Sequence, residues 1–526
     1  MYDLLLKNAS IIDGTGRPAF SSDLAIQDGT ILLPADPTHP AAETIDATGK
    51  TVCPGFIDVH SHGDRLFGTY AGQLSKTNQG ITTELTGQCG TTQFPFSTDP
   101  EKRELLLQRI GPQPDGGIDH TSLESYLNWV NPLPKTCHFG IYIGHSAVRV
   151  SAMGYANRKA TPEELAVMQA MVREAMEHGA MGLSSGLIYA PSCYADEEEL
   201  VALCRVVAEY GGFYATHMRN EAEQLVESVE EAIRIAERSG CKLNISHHKV
   251  CGKENWGKSV QTLELIRQAR ARGVDVTFDV YPYLASSTAL NVCLPKEFFS
   301  HGPEAMRKLL RDPAVRAELK AKILSMEGRF FHCGGWRGIL VTGAPNTRQA
   351  EGMTVQAYAD SIGQDAFETF FDLVMDNGGQ AKAVFFSMGE EDLQRIVCDE
   401  NAVIGTDGVV VDWNTPTHPR GIAAFPKAIR YFVREKQLLT LEAMIHKMTG
   451  LPADRFGLRN KGRIADGYDA DLLLINADTI ADRATYTDSL QLCDGIERVI
   501  VAGQTVYQNK QLTGKTPGQF ISHQAT

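Results

Sequence analysis

Apolar and polar positions along the chain follow three regimes. Over residues 1–54, short apolar runs at 4–12, 23–26 and 30–33 are punctuated by Gly14, Gly16, Gly29 and Pro34, which reads as a set of short strands. From Gly55 onward, apolar runs that end in polar residues alternate with stretches of helical periodicity. The runs fall at 51–59, 81–89, 139–145, 181–185, 213–217, 243–247, 274–281 and 403–407; helical stretches include 161–178, 196–210, 222–239 and 260–272. The first helix opens on Thr161-Pro-Glu-Glu164, an N-cap followed by proline and an acid placed to close a capping box. Eight strands with crossovers predict an α/β fold, a TIM-like (β/α)8 barrel over 55–460 with its chemistry at the C-terminal strand ends.

After 461 the pattern is again strand-like, clearest at 471–475 and 498–503. The two ends, 1–54 and 461–526, are expected to pair into one small composite β-sandwich domain. Residues 285–380 interrupt the alternation with helices around 303–326 and a Gly- and Trp-bearing run at 333–341. An excursion of that length reads as an inserted lid subdomain rather than a structureless loop. The run at 384–388 reads as an additional strand outside the barrel.

Composition narrows the partners. The 526 residues are 43% hydrophobic and 22% charged, as in ordinary globular proteins, and no run of about 18 apolar residues predicts a membrane span. A formal charge of −14 without any Lys/Arg-rich run argues against nucleic acid and membrane surfaces, so an anionic substrate needs a local cluster of cations. The start carries an early Asp3 and no apolar core of a signal peptide, and eleven scattered cysteines suit reduced thiols, so a cytoplasmic protein acting on a small molecule is expected. A homo-oligomer is compatible with all of this.

Candidate chemistry sits at the strand ends. Side chains alternate along a strand, so His60 and His62, at the end of the first parallel run, point the same way and can share a divalent metal. Cys89 closes the second run, His217 the fifth, His247 the sixth and Asp407 the eighth. Each alone has a plain structural reading: a polar strand end, a small buried thiol, or a helix N-cap before Gly408. Together they form a zinc-type ligand set converging on one mouth. His248, one residue on, points away. Lys249 shares the parity of His247, and Arg219 and Glu221 that of His217 if the strand continues; those two can equally pair with each other. His145 ends the third run.

These motifs extend nearly end to end: Pro54-Gly-Phe-Ile-Asp-Val-His-Ser-His62, Gly87-Gln-Cys-Gly90, Gly144-His-Ser-Ala-Val-Arg149, Gly182-Leu-Ser-Ser-Gly-Leu-Ile-Tyr189, Thr216-His-Met-Arg-Asn-Glu221, Ser246-His-His-Lys249, Asp279-Val-Tyr-Pro-Tyr283, Gly405-Thr-Asp-Gly408, His418-Pro-Arg420 and Gly462-Arg-Ile-Ala-Asp-Gly-Tyr-Asp-Ala-Asp-Leu472. In them the chain resembles the D-aminoacylase (N-acyl-D-amino-acid deacylase) family of the amidohydrolase superfamily. The resemblance implies zinc-dependent hydrolysis of N-acyl-D-amino acids by metal-activated water, with Asp407 as general base and acid. It implies a tight zinc on Cys89, His217 and His247, and a second, weaker site framed by His60, His62 and Asp407. Many superfamily members bridge two metals with a carboxylated lysine on strand four; here that strand offers Ser184 and Ser185, and a Cys89 thiolate can supply the negative ligand instead.

The resemblance further assigns the substrate carboxylate to Arg420, assisted by Tyr189, by Tyr281 or Tyr283, and by Ser286 or Ser287. Lys249 can serve either a carboxylate or a carbonyl, and His145 a supporting role. Relatives acting on D-Glu or D-Asp, and cyclic amide or imide hydrolases, are the alternatives; the latter normally keep the strand-four lysine. A neutral D-side chain is expected, in a pocket lined by Met218, Phe385 or the inserted segment. Burying a second carboxylate costs several kcal/mol unless a further cation faces it.

Overall fold

The computed structural model describes residues 1–110, 120–300, 302–325 and 328–523. The chain opens with β1 (Tyr2–Ile11), β2 (Phe20–Gln27), β3 (Thr30–Leu32), β4 (Ala41–Asp46) and β5 (Thr51–Pro54). The strands β6 (Phe56–Asp58), β7 (Ile81–Thr86), β8 (His138–Ile141), β9 (Ile143–Gly144), β10 (Gly182–Gly186), β11 (Phe213–His217), β12 (Lys242–Ile245) and β13 (Val276–Val280) follow. Next come β14 (Ala285–Ala289), β15 (Ile339–Gly343) and β16 (Lys382–Phe386), then β17 (Ala402–Ile404). The chain closes with β18 (Leu472–Ile475), β19 (Ile496–Val501), β20 (Gln504–Gln508) and β21 (Gln511–Leu512).

The first and last strands share one nine-stranded sheet, ordered β21-β20-β19-β18-β5-β1-β2-β3 with β4 on β1. Its seam is the antiparallel pair β18/β5, in register from Leu472↔Pro54 to Ile475↔Thr51. Alternation gives the sheet two faces: Leu4 and Leu6 of β1 join a core with Ile26, Val52 and Leu472, whereas Leu5 packs with Ala25 and Ala35 on the other side.

The parallel strands form two sheets, β6-β7-β8 and β9-β10-β11-β12-β13-β17. Only Tyr142 separates β8 from β9, and its N–H donates to Thr86 O at 2.9 Å. At the other edge a parallel bridge, Ser61↔Gly408, links the ends of β6 and β17, and Asp407 N donates to His60 O at 2.8 Å. β6, β7 and β10 are buried at every position, the mark of parallel strands covered on both faces. The helix over Pro162–Glu177 has Thr161 as N-cap in a reciprocal capping box with Glu164 and proline in its first turn. The helix over Leu225–Ser239 buries Leu225, Val229, Ala232 and Ala236 on one stripe and ends at Gly240, φ 75°, a conformation that suits glycine.

The stretch from Ala285 to Phe386 carries its own antiparallel sheet, β14-β16-β15, and its own core around Trp336, Ile339, Val341, Phe370, Phe371 and Phe385. The additional strand expected at 384–388 is β16, the middle of that sheet. One boundary differs from expectation. Residues 517–523 leave the nine-stranded sheet and run beside β8: Phe139 N donates to Gln519 O at 3.0 Å, Ile521 N to Phe139 O at 2.7 Å, and the Phe139 and Phe520 rings lie 5.3 Å apart. The apolar Phe520 there finds an aromatic partner that the edge strand β21 does not offer. All eleven cysteines are free, and among the described residues no helix is long and apolar enough to cross a membrane.

Candidate metal centre and active site

Cys89 is the hub of the strand-end cluster. Its Sγ lies 3.5 Å from His60 Nε2, 3.4 Å from His247 Nε2 and 3.7 Å from His217 Nδ1. One group of mutually close donors comprises His60, Cys89, His247 and Asp407; a second comprises His217, Glu221 and His247. Cys89 thus touches all three of His60, His217 and His247, and His247 belongs to both groups. Cys89, His247 and Asp407 all have left-handed backbones, φ 54°, 39° and 48°. For residues other than glycine this costs roughly 1–3 kcal/mol each and persists only where surrounding contacts enforce it. Here Asp279 Oδ1 accepts from His247 N at 2.8 Å, and His60 O accepts from Asp407 N at 2.8 Å.

Carboxylates aim the imidazoles. Asp279 meets His60 Nδ1 at 3.1–3.2 Å and accepts from Asn244 at 2.8 Å, so His60 Nε2 is turned to the cluster. Glu221 Oε1 lies 3.2 Å from His247 Nδ1 and is also bonded to Lys249; its Oε2 lies 3.6 Å from His217 Nε2. Lys249 Nζ sits 2.7 Å from His247 Nδ1. His62 occupies the rim, with a side chain 25% exposed and Nε2 3.0 Å from Asp407 Oδ1.

Electrostatics match this arrangement. Burial pushes the Cys89 thiol up, but the neighbouring charges of His60 and His247 and hydrogen bonds from His217 and His247 hold it well below the ordinary thiol range. Burial likewise raises Asp407, and Arg420 and His247 with the His62 hydrogen bond hold it well below the usual carboxylate range. A thiolate, convergent imidazole nitrogens and an ionised carboxylate, with their donor atoms within 4.8 Å of one another, are a zinc-type donor set. His217 Nε2, buried and without a hydrogen bond among the described residues, is a further unsatisfied donor position. The residues therefore fit a divalent metal.

A cavity of about 480 Å³ opens over the cluster, bordered by His62, Asp407, Arg420, Lys249, Tyr189 and Tyr281 together with Ser286 and Ser287. Arg420 pairs with Asp407 Oδ2 at 2.8 Å, donates to Ser287 O at 3.0 Å and stacks over the Tyr281 ring at 4.6 Å. His418 fixes that arginine's loop: its Nδ1 accepts from Arg420 N at 3.0 Å while Nε2 reaches Ala285 O at 3.0 Å. Tyr189 Oη lies 3.1 Å from Thr288 Oγ1.

Several expected residues lie elsewhere. Tyr283 turns out of the cavity against His418 and Tyr486, because the chain folds back at Pro282 with Tyr283 N bonded to Tyr281 O. His145 is the first residue of a helix and is held by Ser192 and Glu199 at 2.9 Å each, away from the cavity. Arg219 pairs with Glu231 rather than Glu221. Met218 and Phe385 are buried in hydrophobic cores; the apolar cavity wall comes instead from Val292, Leu294, Phe299, Met306 and Phe330 of the inserted segment. His248 bonds Thr262 Oγ1 at 2.9 Å, on the far side of its chain. Two residues were given no role from sequence. Asp279 stood in a recognised motif, but nothing in the pattern joined it to His60. Arg329, which donates to Ser286 Oγ at 2.9 Å and reaches Glu221 at 3.2 Å, comes from the insertion and left no periodic signal.

The sequence matches the amidohydrolase family over residues 43–317 and 354–507, and the chain belongs to that family. It is 33% identical over 525 residues to a D-aminoacylase of Alcaligenes xylosoxydans xylosoxydans, covering 100% of this chain and 98% of the relative. An N-acyl-D-aspartate deacylase of the same organism is 32% identical, with 99% and 95% covered. Among solved structures, an N-acyl-D-glutamate deacylase of Bordetella bronchiseptica, complexed with zinc and a phosphonate mimic of the tetrahedral intermediate, superposes with TM-score 0.83 at 33% identity, covering 99% of each chain.

Proposed function

We propose that this chain hydrolyses the amide bond of N-acyl-D-amino acids, giving a carboxylate and a free D-amino acid. The observation that carries the reading is Cys89 Sγ surrounded by three imidazoles, beside an Asp407 carboxylate paired with Arg420 at the cavity floor. In this reading β6 to β13 and β17, with β8 and β9 counted as one strand, act as one closed (β/α)8 barrel, and the insertion roofs its mouth. Zinc is the proposed metal, held by Cys89, His247 and His217, with His60, His62 and Asp407 available for a second ion. A zinc ion bound there supplies Lewis acidity to the amide carbonyl and brings the pKa of a water ligand towards about 7.

The chain's own groups do the rest. Asp407, ionised and within reach of His60 and His62, accepts the proton of the attacking water and returns it to the departing nitrogen, without which an amine anion is too poor a leaving group. Arg420 offers its planar fork to the α-carboxylate, and Tyr281 stacked beneath it fixes the plane. Tyr189, Ser286, Ser287 and Lys249 line the same space and are placed to hydrogen-bond the carboxylate or the acyl carbonyl.

The test is metal analysis of the purified protein with hydrolysis of paired N-acetyl-D- and N-acetyl-L-amino acids. The D-series should be cleaved, with loss on chelation and recovery with zinc. Preference for the L-series, or ring opening of a cyclic imide without cleavage of linear amides, would overturn the assignment.

A further inference from the structure

Most cations facing the cavity are already engaged. Arg420 pairs with Asp407, Lys249 and Arg329 with Glu221, and Arg219 with Glu231. Lys296 lines the cavity without a carboxylate partner among the described residues, but it lies on the Arg219 side, in the field of Arg219, Glu231 and Glu297. Lys382 differs. It is the first residue of β16 and lines the cavity with Arg65 and Arg420, yet among the described residues no carboxylate pairs with it and no oxygen accepts from its Nζ. Burial and the charges of Arg65 and Arg420 hold its pKa down to about 8, against the pull of Asp407, so the ammonium shares the field of the proposed base and the proposed carboxylate clamp.

Resting on the deacylase reading, we infer that Lys382, backed by Arg65, is a second anion-binding point that receives a second carboxylate on the substrate. The expectation of a neutral substrate depended on there being no further cation in the pocket, and Lys382 is such a cation. A substrate with one carboxylate occupies Arg420 and covers Lys382 without answering its charge. Stripping water from an unpaired ammonium is costly, whereas an arriving carboxylate turns the same burial into a charge-assisted hydrogen bond. The second carboxylate has two possible sources, the amino-acid side chain or the far end of the acyl group.

The zinc-loaded protein is assayed with N-acetyl-D-glutamate, N-acetyl-D-aspartate, N-succinyl-D-leucine and N-acetyl-D-leucine, as wild type, Lys382→Met and Lys382→Arg. At least one dicarboxylate should lead N-acetyl-D-leucine by about tenfold or more in kcat/KM. In Lys382→Met that ratio should fall by about tenfold or more, mainly through KM, and Lys382→Arg should restore much of it. A lead for the D-glutamate or D-aspartate compound places the carboxylate on the side chain, and a lead for the succinyl compound places it on the acyl group. Equal or better use of N-acetyl-D-leucine, or a dicarboxylate lead that survives Lys382→Met, overturns the inference and leaves the deacylase reading standing. If no D-compound is cleaved, the deacylase reading falls. The anion site is then judged by thermal-shift titration with glutarate against butyrate: tighter glutarate binding that Lys382→Met abolishes retains it, and equal binding removes it.

Discussion

Two buried charge clusters begin within a few residues of each other at the end of β6, and they are built in opposite ways. In the first, Lys76 Nζ donates to Asp58 at 2.8 Å and to Ser61 Oγ at 2.8 Å, with Glu84 at 3.4 Å. Asp58 also accepts from Thr406 N at 2.9 Å and Thr406 Oγ1 at 2.7 Å, so every charge is answered and β6 is tied to the end of β17. In the second, around Cys89, three members hold left-handed backbones, and although outer atoms pair with Asp279, Glu221 and Arg420, the inner donor atoms converge on one point. A saturated network fixes one geometry and does no chemistry; donors left facing each other have a bond still to make. The contrast separates scaffold from site without reference to any relative.

The strongest test of that separation is removal of the hub. Cys89→Ala should lose metal and fall to background hydrolysis, and zinc should restore chelated wild type but not the variant. Near-normal turnover in a demonstrably metal-free preparation would dissolve the distinction. Next, Asp407→Asn keeps shape and removes the base, and kcat should drop by roughly two to four orders of magnitude while the tight metal proposed on Cys89, His217 and His247 stays bound. Full activity in that variant would move proton transfer elsewhere.

The saturated cluster should answer differently. Lys76→Met strands Asp58 and Glu84, and the loss should appear as about 3–5 kcal/mol of unfolding free energy, with kcat/KM of the folded fraction nearly kept. A large loss of kcat with an unshifted Tm would show that Lys76 belongs to the chemistry. The smallest effect is expected at an exposed pair. Glu164 is held down to about 2, chiefly by its Arg158 hydrogen bonds and against the opposing effect of burial. Its folded pKa lies below the unfolded value of about 4.3, so its stabilisation is present above that pH and is lost as pH falls through the folded value. Glu164→Gln should cost only about 0.5 kcal/mol at pH 7, and denaturant midpoints of variant and wild type should converge as pH approaches about 2.

The strand ends were legible because a period of two and a set of ligand types are both local signals: His60, His62, Cys89, His217, His247 and Asp407 all meet at one place. Parity failed at Lys249 and at Tyr283, where a turn intervenes after the strand's end. β12 ends at Ile245, and Lys249 reaches the cluster through the turn at His247 rather than by facing the same way. Tyr281 and Tyr283 have equal parity and opposite destinations, since the fold-back at Pro282 lies between them. Arg329, 108 residues from Glu221, and Lys382 act from the insertion, and nothing in a linear pattern records which surface an inserted segment covers. Thr161 and Glu164 were legible for the reverse reason, because a capping box is complete within four residues.

The seam between β5 and β18 sets a timetable for synthesis. β1, β2 and β5 emerge early, yet the strand that completes β5 on its open side lies about 420 residues later, which at typical elongation rates is roughly 20–80 s of translation. During that interval β5 presents an unpaired edge of Thr51, Val52 and Cys53, the sort of edge to which another chain can add. Yield from rapid expression should therefore depend on what shields those residues in the nascent chain, a demand absent from the finished fold, where all three are buried.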